Sequence, residues 1–296
     1  MNKKGINLKK TTQHWLVSII LAMILIWITS KITTISYMTN DDFGVILDVG
    51  GFLQTQETGY SIFLHPWLYY FINSLYNLDL GINWYPILQV FCLTIAIVII
   101  FFCVFQNYKS ETGVMWKPIF INIMLYVLLM MIQVYALSFT TVPAIMGSAA
   151  IALLYTDTCS NKYNIISCIT QMFLLLVAYW WRVESGYVTL FFYGISVIIL
   201  GFRKRKTLRN KVIVKKVIPN VVIYGVLLLG IVASTVMGNI VREKSQYKDF
   251  QNYQDARYKY TDYPHETYNE NEKRYQKEGV SEELYDLMEN WCLWII

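Results

Sequence analysis

Charge and histidine are what this sequence has least of. Asp, Glu, Lys and Arg together make up 15% of its 296 residues and only three are His, against about 25% charged residues in an ordinary soluble domain. That scarcity excludes a typical soluble fold. The five cysteines, Cys92, Cys103, Cys159, Cys168 and Cys292, form no CxxC pair and no Cys/His cluster. A zinc ribbon or a dithiol redox centre is therefore not expected, and the thiols read as small buried hydrophobes. No small-residue cleavage site follows the first apolar run, so "MNKKGINLKK" and the residues after it read as an uncleaved first span and not as a signal peptide. There is also no internal repeat, and no charged residue in the middle of an apolar run, where Gln89, Gln133 and Gln171 are the main polar residues. A transporter would be expected to have both.

What is present is apolar and aromatic: 55% hydrophobic and 16% aromatic residues. These gather in runs over residues 15–35, 84–105, 118–137, 141–155, 164–181, 186–202 and 217–237. A hydrocarbon core of about 30 Å needs about 20 helical residues, so the pattern predicts an all-α polytopic transmembrane bundle of about seven spans. Between the first two runs, "SIFLHPWLYYFINSLYNL" is short, aromatic and interrupted by Pro66; it is expected to form an outer interfacial helix.

Basic residues set the orientation. With the N-terminus inside, Lys3, Lys4, Lys9, Lys10, Lys109, Lys117 and Lys162 fall on the cytoplasmic side, as does "RKRKTLRNKVIVKK", with eight basic residues and no acid. Before the tail, the outer side carries only Lys31 and Arg182. The basic loop lacks interleaved aromatics, so it reads as a topology anchor meeting anionic lipid and not as a nucleic-acid site. Residues 1–238 thus form a transmembrane domain of the cytoplasmic membrane and residues 239–296 a polar, tyrosine-rich extracytoplasmic segment. "SEELYDLMENW" within it has the pattern of a capped helix starting at Ser281. The segment is expected to be a lid over a sugar site or a linker.

This arrangement gathers the candidate chemistry on the outer face. Asp41 and Asp42 follow the first span; they read either as a turn or cap with Asn40, or as a carboxylate that takes a proton from an attacking hydroxyl or holds a divalent cation. The same outer loop continues through Asp48, Gly50–Gly51 and Glu57 to His65, which reads as an interfacial side chain packed beside Trp67 and Tyr69 or as a ligand contact. In "YWWRVES", Arg182 and Glu184 end a span: Arg182 either snorkels to the headgroups or pairs with a lipid-linked phosphate, for which a guanidinium fork is suited. Thr140 and Thr141, before Pro143, either cap the next helix or bond a ligand hydroxyl or phosphate. Gly147, Ser148, Ala149 and Ala150 are small enough to bring helices close together.

The stretches "NDDFGVILDVGGF", "LYNLDLGINWYPILQV", "LSFTTVPAIMGSAAIALL", "YWWRVESGY", "DARYKYTDYP" and "GVSEELYDLMENW", spread in order along the chain, together resemble bacterial membrane proteins related to the GT-C glycosyltransferases. That resemblance implies an inverting enzyme that takes a sugar from a polyprenyl-phosphate carrier and passes it to a cell-envelope acceptor. It implies Asp41 or Asp42 as base or metal ligand and Arg182 as a phosphate contact. Family members continue through further spans after the soluble segment, whereas this chain ends at "WCLWII", so an N-terminal or truncated part of such an enzyme is expected. The alternative is a non-enzymatic component of polysaccharide export or transport.

Overall fold

A computed structural model describes residues 3–50, 61, 63–108, 115–160, 165–207, 210–243, 252 and 266–289. Among the described residues the chain is all-α apart from two short strands. In order, the elements are α1 (Lys3–Ile32), β1 (Ser36–Tyr37), α2 (Asn40–Val49), α3 (Pro66–Tyr76), α4 (Trp84–Asn107), α5 (Trp116–Leu125), a π-helical turn (Tyr126–Met130), α6 (Met131–Tyr135), β2 (Ala136–Leu137), α7 (Thr141–Ser160), α8 (Ile165–Trp181), α9 (Val183–Thr207), α10 (Asn210–Glu243), α11 (Tyr268–Lys277) and α12 (Glu282–Glu289).

Among the described residues, four helical segments, Lys10–Ile32, Trp84–Asn107, Trp116–Tyr135 and Val183–Phe202, are long and apolar enough to cross a membrane. Thr141–Asp157, Ile165–Trp181 and Tyr224–Ile240 are apolar but shorter. These helices expose many large apolar side chains, among them Ile20, Trp27, Leu128, Leu129, Phe191 and Leu229. Such surface is expensive in water and costs nothing against lipid tails. The chain therefore has the make-up of a membrane protein.

Contacts near the helix ends set their relative directions. β1 and β2 pair in parallel, Ser36 opposite Ala136 and Tyr37 opposite Leu137, which joins the end of α1 to the end of α6. Trp15, early in α1, stacks on Phe102, late in α4, with ring centroids 4.0 Å apart; α1 and α4 are antiparallel. At the same end of the bundle, the Asn107 amide at the close of α4 donates to Thr156 Oγ1 at 2.7 Å, late in α7. The starts of α4 and α7 meet at the other end, described below.

Helices α7, α8 and α9 pack against one another, and two glycines let them approach closely. A Cβ on Gly147 would fall 2.5 Å from Thr189 Cγ2, and one on Gly186 would fall 2.6 Å from the Tyr179 Cα. Ala149 and Ala150 are fully buried, while Ser148 faces outward and bonds the Ala144 carbonyl at 2.9 Å. A polar ladder crosses the same helices: Gln171 donates to Asp157 at 2.9 Å and accepts from Tyr193 at 2.7 Å. In α10, Thr235 bonds Tyr179 at 2.6 Å and Ser234 accepts from Trp180 Nε1 at 3.0 Å.

Two sequence expectations change. The stretch after the first span, read as a continuous outer loop, begins as a helix. Thr39 is extended at the N-cap, Asp41 and Asp42 occupy the first turn, and Val45, Ile46 and Val49 form a buried face. Acids in a first turn oppose the positive end of the helix dipole, and the apolar spacing is helical. Gly50 caps this helix, its N–H donating to Ile46 O at 2.9 Å. Gly51 and Glu57 lie outside the described residues. In the tail, the Ser281 hydroxyl accepts the Leu284 N–H at 3.2 Å, as the cap pattern predicts, but the reciprocal capping box belongs to Thr267 and Glu270 at the start of α11. Tyr268, Tyr275 and Tyr285 cluster together, with centroids 5.2–5.7 Å apart.

The basic stretch closes α9 and opens α10; residues 208 and 209, and the side chains from residue 203 to residue 221, lie outside the described residues. So do "DARYKYTDYP", "WCLWII", Lys109, Lys162, Cys292 and the side chain of Cys159.

Candidate functional site

The two adjacent acids have different surroundings. Successive residues of a helix point about 100° apart, and here that separates burial from exposure. Asp42 is 0% exposed, whereas Asp41 keeps part of its surface. The Asp42 Oδ1 accepts from Tyr85 OH at 2.9 Å, Gln89 Nε2 at 3.0 Å and the Phe139 N–H at 3.0 Å. Its Oδ2 accepts from Thr39 Oγ1 at 3.2 Å. A buried carboxylate without partners costs several kcal/mol, and these four donors offset that. Burial pushes the Asp42 carboxyl above its ordinary range, while the bonds from Gln89, Tyr85, Phe139 and Thr39 pull it back in part.

Asp42 thereby ties three segments together. Tyr85 and Gln89 sit one turn apart at the start of α4, so both side chains face the start of α2. Phe139 belongs to the turn before α7. That turn is built by Ser138, whose carbonyl accepts from the Thr141 and Val142 N–H groups at 3.1 and 3.2 Å and whose hydroxyl accepts from Thr140 N–H at 3.1 Å.

Arg182 approaches the same turn from the α8–α9 junction. Its guanidinium carbon lies 5.0 Å from the Phe139 ring centroid and 5.8 Å from that of Phe63, and the two rings stack at 4.5 Å. Its Nη1 donates to Thr140 Oγ1. Its Nε makes a 3.5 Å ionic contact with Glu184 Oε2, a side chain 72% exposed. An ion pair that exposed contributes about 1 kcal/mol or less, so Glu184 balances charge without locking the arginine. The Arg182 side chain itself remains 29% exposed. The result is a cation set against two aromatic rings on a side chain that stays partly exposed.

Of the residues singled out from sequence, Asp42, Thr140, Arg182 and Glu184 thus come together through the Phe139–Thr140 dipeptide, with Asp41 beside them in the first turn of α2. The Thr141 hydroxyl donates to Ser138 O at 3.2 Å, within its own turn. His65 is buried and structural. It N-caps α3 by accepting the Trp67 N–H on Nδ1 at 3.4 Å, its own N–H donates to Trp180 O at 2.9 Å, and Nε2 lies 3.4 Å from Ser234 Oγ. It joins α3, α8 and α10, and its imidazole is occupied by those contacts.

Among the described residues no group of three His, Cys, Asp or Glu side chains is placed to hold a metal ion. Asp42 does not suit a cation either, because all its hydrogen-bond partners are donors that a cation would displace. Tyr85, Gln89, Thr39, Phe63 and Phe139 complete the site without having been singled out as its members. The available signal was the polar i, i+4 pair Tyr85/Gln89 at the start of an otherwise apolar run. Asp48, farther along α2, has its carboxyl pushed up to about 7 by burial.

No protein-family model, no curated protein and no solved structure matches this chain.

Proposed function

We propose that the protein is a GT-C-like membrane glycosyltransferase, or part of one, that receives a sugar from a polyprenyl-phosphate carrier. The observation that carries this reading is Arg182: a guanidinium on a partly exposed side chain, backed by Phe139 and Phe63 and anchored on Thr140, in a turn held by a buried carboxylate. Such a cation suits a phosphate monoester or diester, since a guanidinium keeps its charge at all relevant pH and offers forked donors.

In this reading the seven apolar helices are spans, α3 is interfacial, the N-terminus is cytoplasmic and the Arg182 end of the bundle faces outward. The basic residues near the other end support that orientation. Asp41, the more accessible of the two acids, takes the proton. The acceptor hydroxyl oxygen attacks the anomeric carbon, the bond from that carbon to the phosphate oxygen breaks, and the phosphate leaves with the electron pair toward Arg182. The hydroxyl proton passes to the Asp41 carboxylate, and configuration inverts.

Membranes containing the full chain, supplied with polyprenyl-phosphate-linked radiolabelled sugars, test this. Transfer by wild type that is lost in Asp41→Asn and in Arg182→Ala supports the reading; transfer unaffected by both variants sinks it. An export or transport role draws on the Asp157–Gln171–Tyr193 ladder, an acid among packed apolar helices. That reading predicts sugar movement sensitive to Asp157→Asn and indifferent to Asp41→Asn.

A further inference from the structure

Asp42 and Arg182 carry opposite charges, yet their connection runs through the backbone and side chains of one dipeptide. The carboxylate accepts the Phe139 N–H at 3.0 Å, and the guanidinium rests on the Phe139 ring and bonds Thr140. We infer that Asp42 is a positioning residue that sets the place of the Arg182 guanidinium by fixing the Phe139–Thr140 peptide. This rests on the proposed function only for the identity of the anion Arg182 meets.

Several observations converge on this role. Asp42 is fully buried and its two oxygens take four hydrogen bonds, so it has no surface to offer a substrate. Three of those bonds fall on the single atom Oδ1, and they come from two different elements, α4 and the turn before α7. That convergence fixes the turn relative to α4. The hydrogen bonds of Ser138 and Thr141 are local to the turn, and the strand pairing just before it, with Met38 N–H donating to Leu137 O at 2.9 Å, ties it to β1 and not to α4. Local bonds shape a turn, but they do not set its distance from α4. Arg182 in turn takes its position from the turn, through one side-chain bond and one ring face.

A second consequence separates positioning from proton transfer. In Asp42→Asn the side-chain carbonyl can stand where Oδ1 stands and accept the same three donors, while the amide faces the Thr39 hydroxyl, which can accept as well as donate. Positioning survives that exchange; a base would not. Asp42→Ala removes the acceptor altogether.

The test uses the purified full-length protein in detergent and follows modification of Arg182 by phenylglyoxal, read peptide by peptide by mass spectrometry. Ser74→Ala is the control, because that hydroxyl is exposed and bonds only within α3. Thr140→Val sets the rate for an arginine released from its anchor. Asp42→Ala should raise the Arg182 rate about tenfold, as expected for loss of a restraint worth one good hydrogen bond, and approach the Thr140→Val rate. Asp42→Asn should stay within about threefold of wild type, since its three Oδ1 bonds persist in neutral form. If Asp42→Ala does not survive purification, Tyr85→Phe/Gln89→Leu reads the same quantity by removing two of the bonds that hold the carboxylate, and should give an intermediate rate. An Arg182 rate equal to wild type in Asp42→Ala, or in Tyr85→Phe/Gln89→Leu where that is measured in its place, overturns the inference.

Farnesyl phosphate binding, measured on the same preparations, keeps the two ideas apart. Wild-type protein that binds no farnesyl phosphate while the Arg182 rates follow the predicted order defeats the lipid-phosphate reading and leaves the positioning role standing. Binding in wild type with unchanged Arg182 rates does the reverse.

Discussion

The Asp42 carboxylate and the Gln89 side chain meet inside the bundle, Gln89 Nε2 donating to Oδ1 at 3.0 Å with both residues fully buried. Gln89 lies in an apolar helix, where this bond pairs its amide nitrogen while its buried Oε1 is left without a hydrogen bond. Asp42→Leu removes the acceptor shared by Tyr85, Gln89 and the Phe139 N–H. Each buried donor left unpaired costs about 1–3 kcal/mol, so thermal unfolding in detergent should show one of the largest losses of any single substitution in α2. Asp42→Asn should cost far less. Equal losses in the two variants would mean that charge, and not the hydrogen-bond pattern, holds the site.

Helix packing supplies a contrast among glycines. At Gly186 an added Cβ would meet the Tyr179 backbone, which cannot swing aside, whereas nothing lies within 4 Å of the Cβ position at Gly230. Gly186→Ala should destabilise by about 1–3 kcal/mol through overpacking, and Gly230→Ala should be neutral or stabilising by up to about 1 kcal/mol. Melting temperatures of the two variants in one detergent check the order.

Asp48 gives a pH dependence with a definite sign. Its carboxyl is held at about 7 in the fold, against 3.8 for the ordinary group, so the folded state binds the proton more tightly than the unfolded chain does. Its contribution is therefore fully present below pH 3.8, decreases as pH rises, and is lost above about pH 7. Unfolding measured between pH 4 and pH 8 should show a decline in wild type that is smaller in Asp48→Asn. The same slope in both proteins would assign the decline to other groups.

Much of this architecture was legible because charge is so scarce. Asp41, Asp42 and Arg182 stand out against apolar runs, and Thr140 could be picked out by its place in a turn before Pro143. Their roles were less legible. Whether a residue of an adjacent pair is buried depends on where α2 begins, and the Thr39–Asp41 stretch reads equally well as a turn. Tyr85, Gln89 and the Phe139 N–H reach Asp42 across separations of 43 to 97 residues, contacts that no local pattern encodes. His65 caps α3, a role its sequence reading did not include, and the Thr141 hydroxyl is used locally, donating to Ser138 O.

Topology can be read from either end of the bundle. Leu80, 60% exposed just before α4, and Trp116, 60% exposed at the start of α5, lie beyond opposite ends of α4. In a background without native cysteines, Leu80→Cys in intact cells should react with a membrane-impermeant maleimide, and Trp116→Cys only after permeabilisation. The opposite pattern would invert the orientation and put Arg182 on the cytoplasmic side.

Arg182 is the central claim. Titration of purified wild type and Arg182→Ala with farnesyl phosphate, both proteins first shown to melt alike, tests it most directly. A partly desolvated guanidinium–phosphate contact contributes about 1.5–3 kcal/mol, so the account predicts saturable wild-type binding weakened at least about tenfold in the variant. Equal affinity in the two proteins would contradict it.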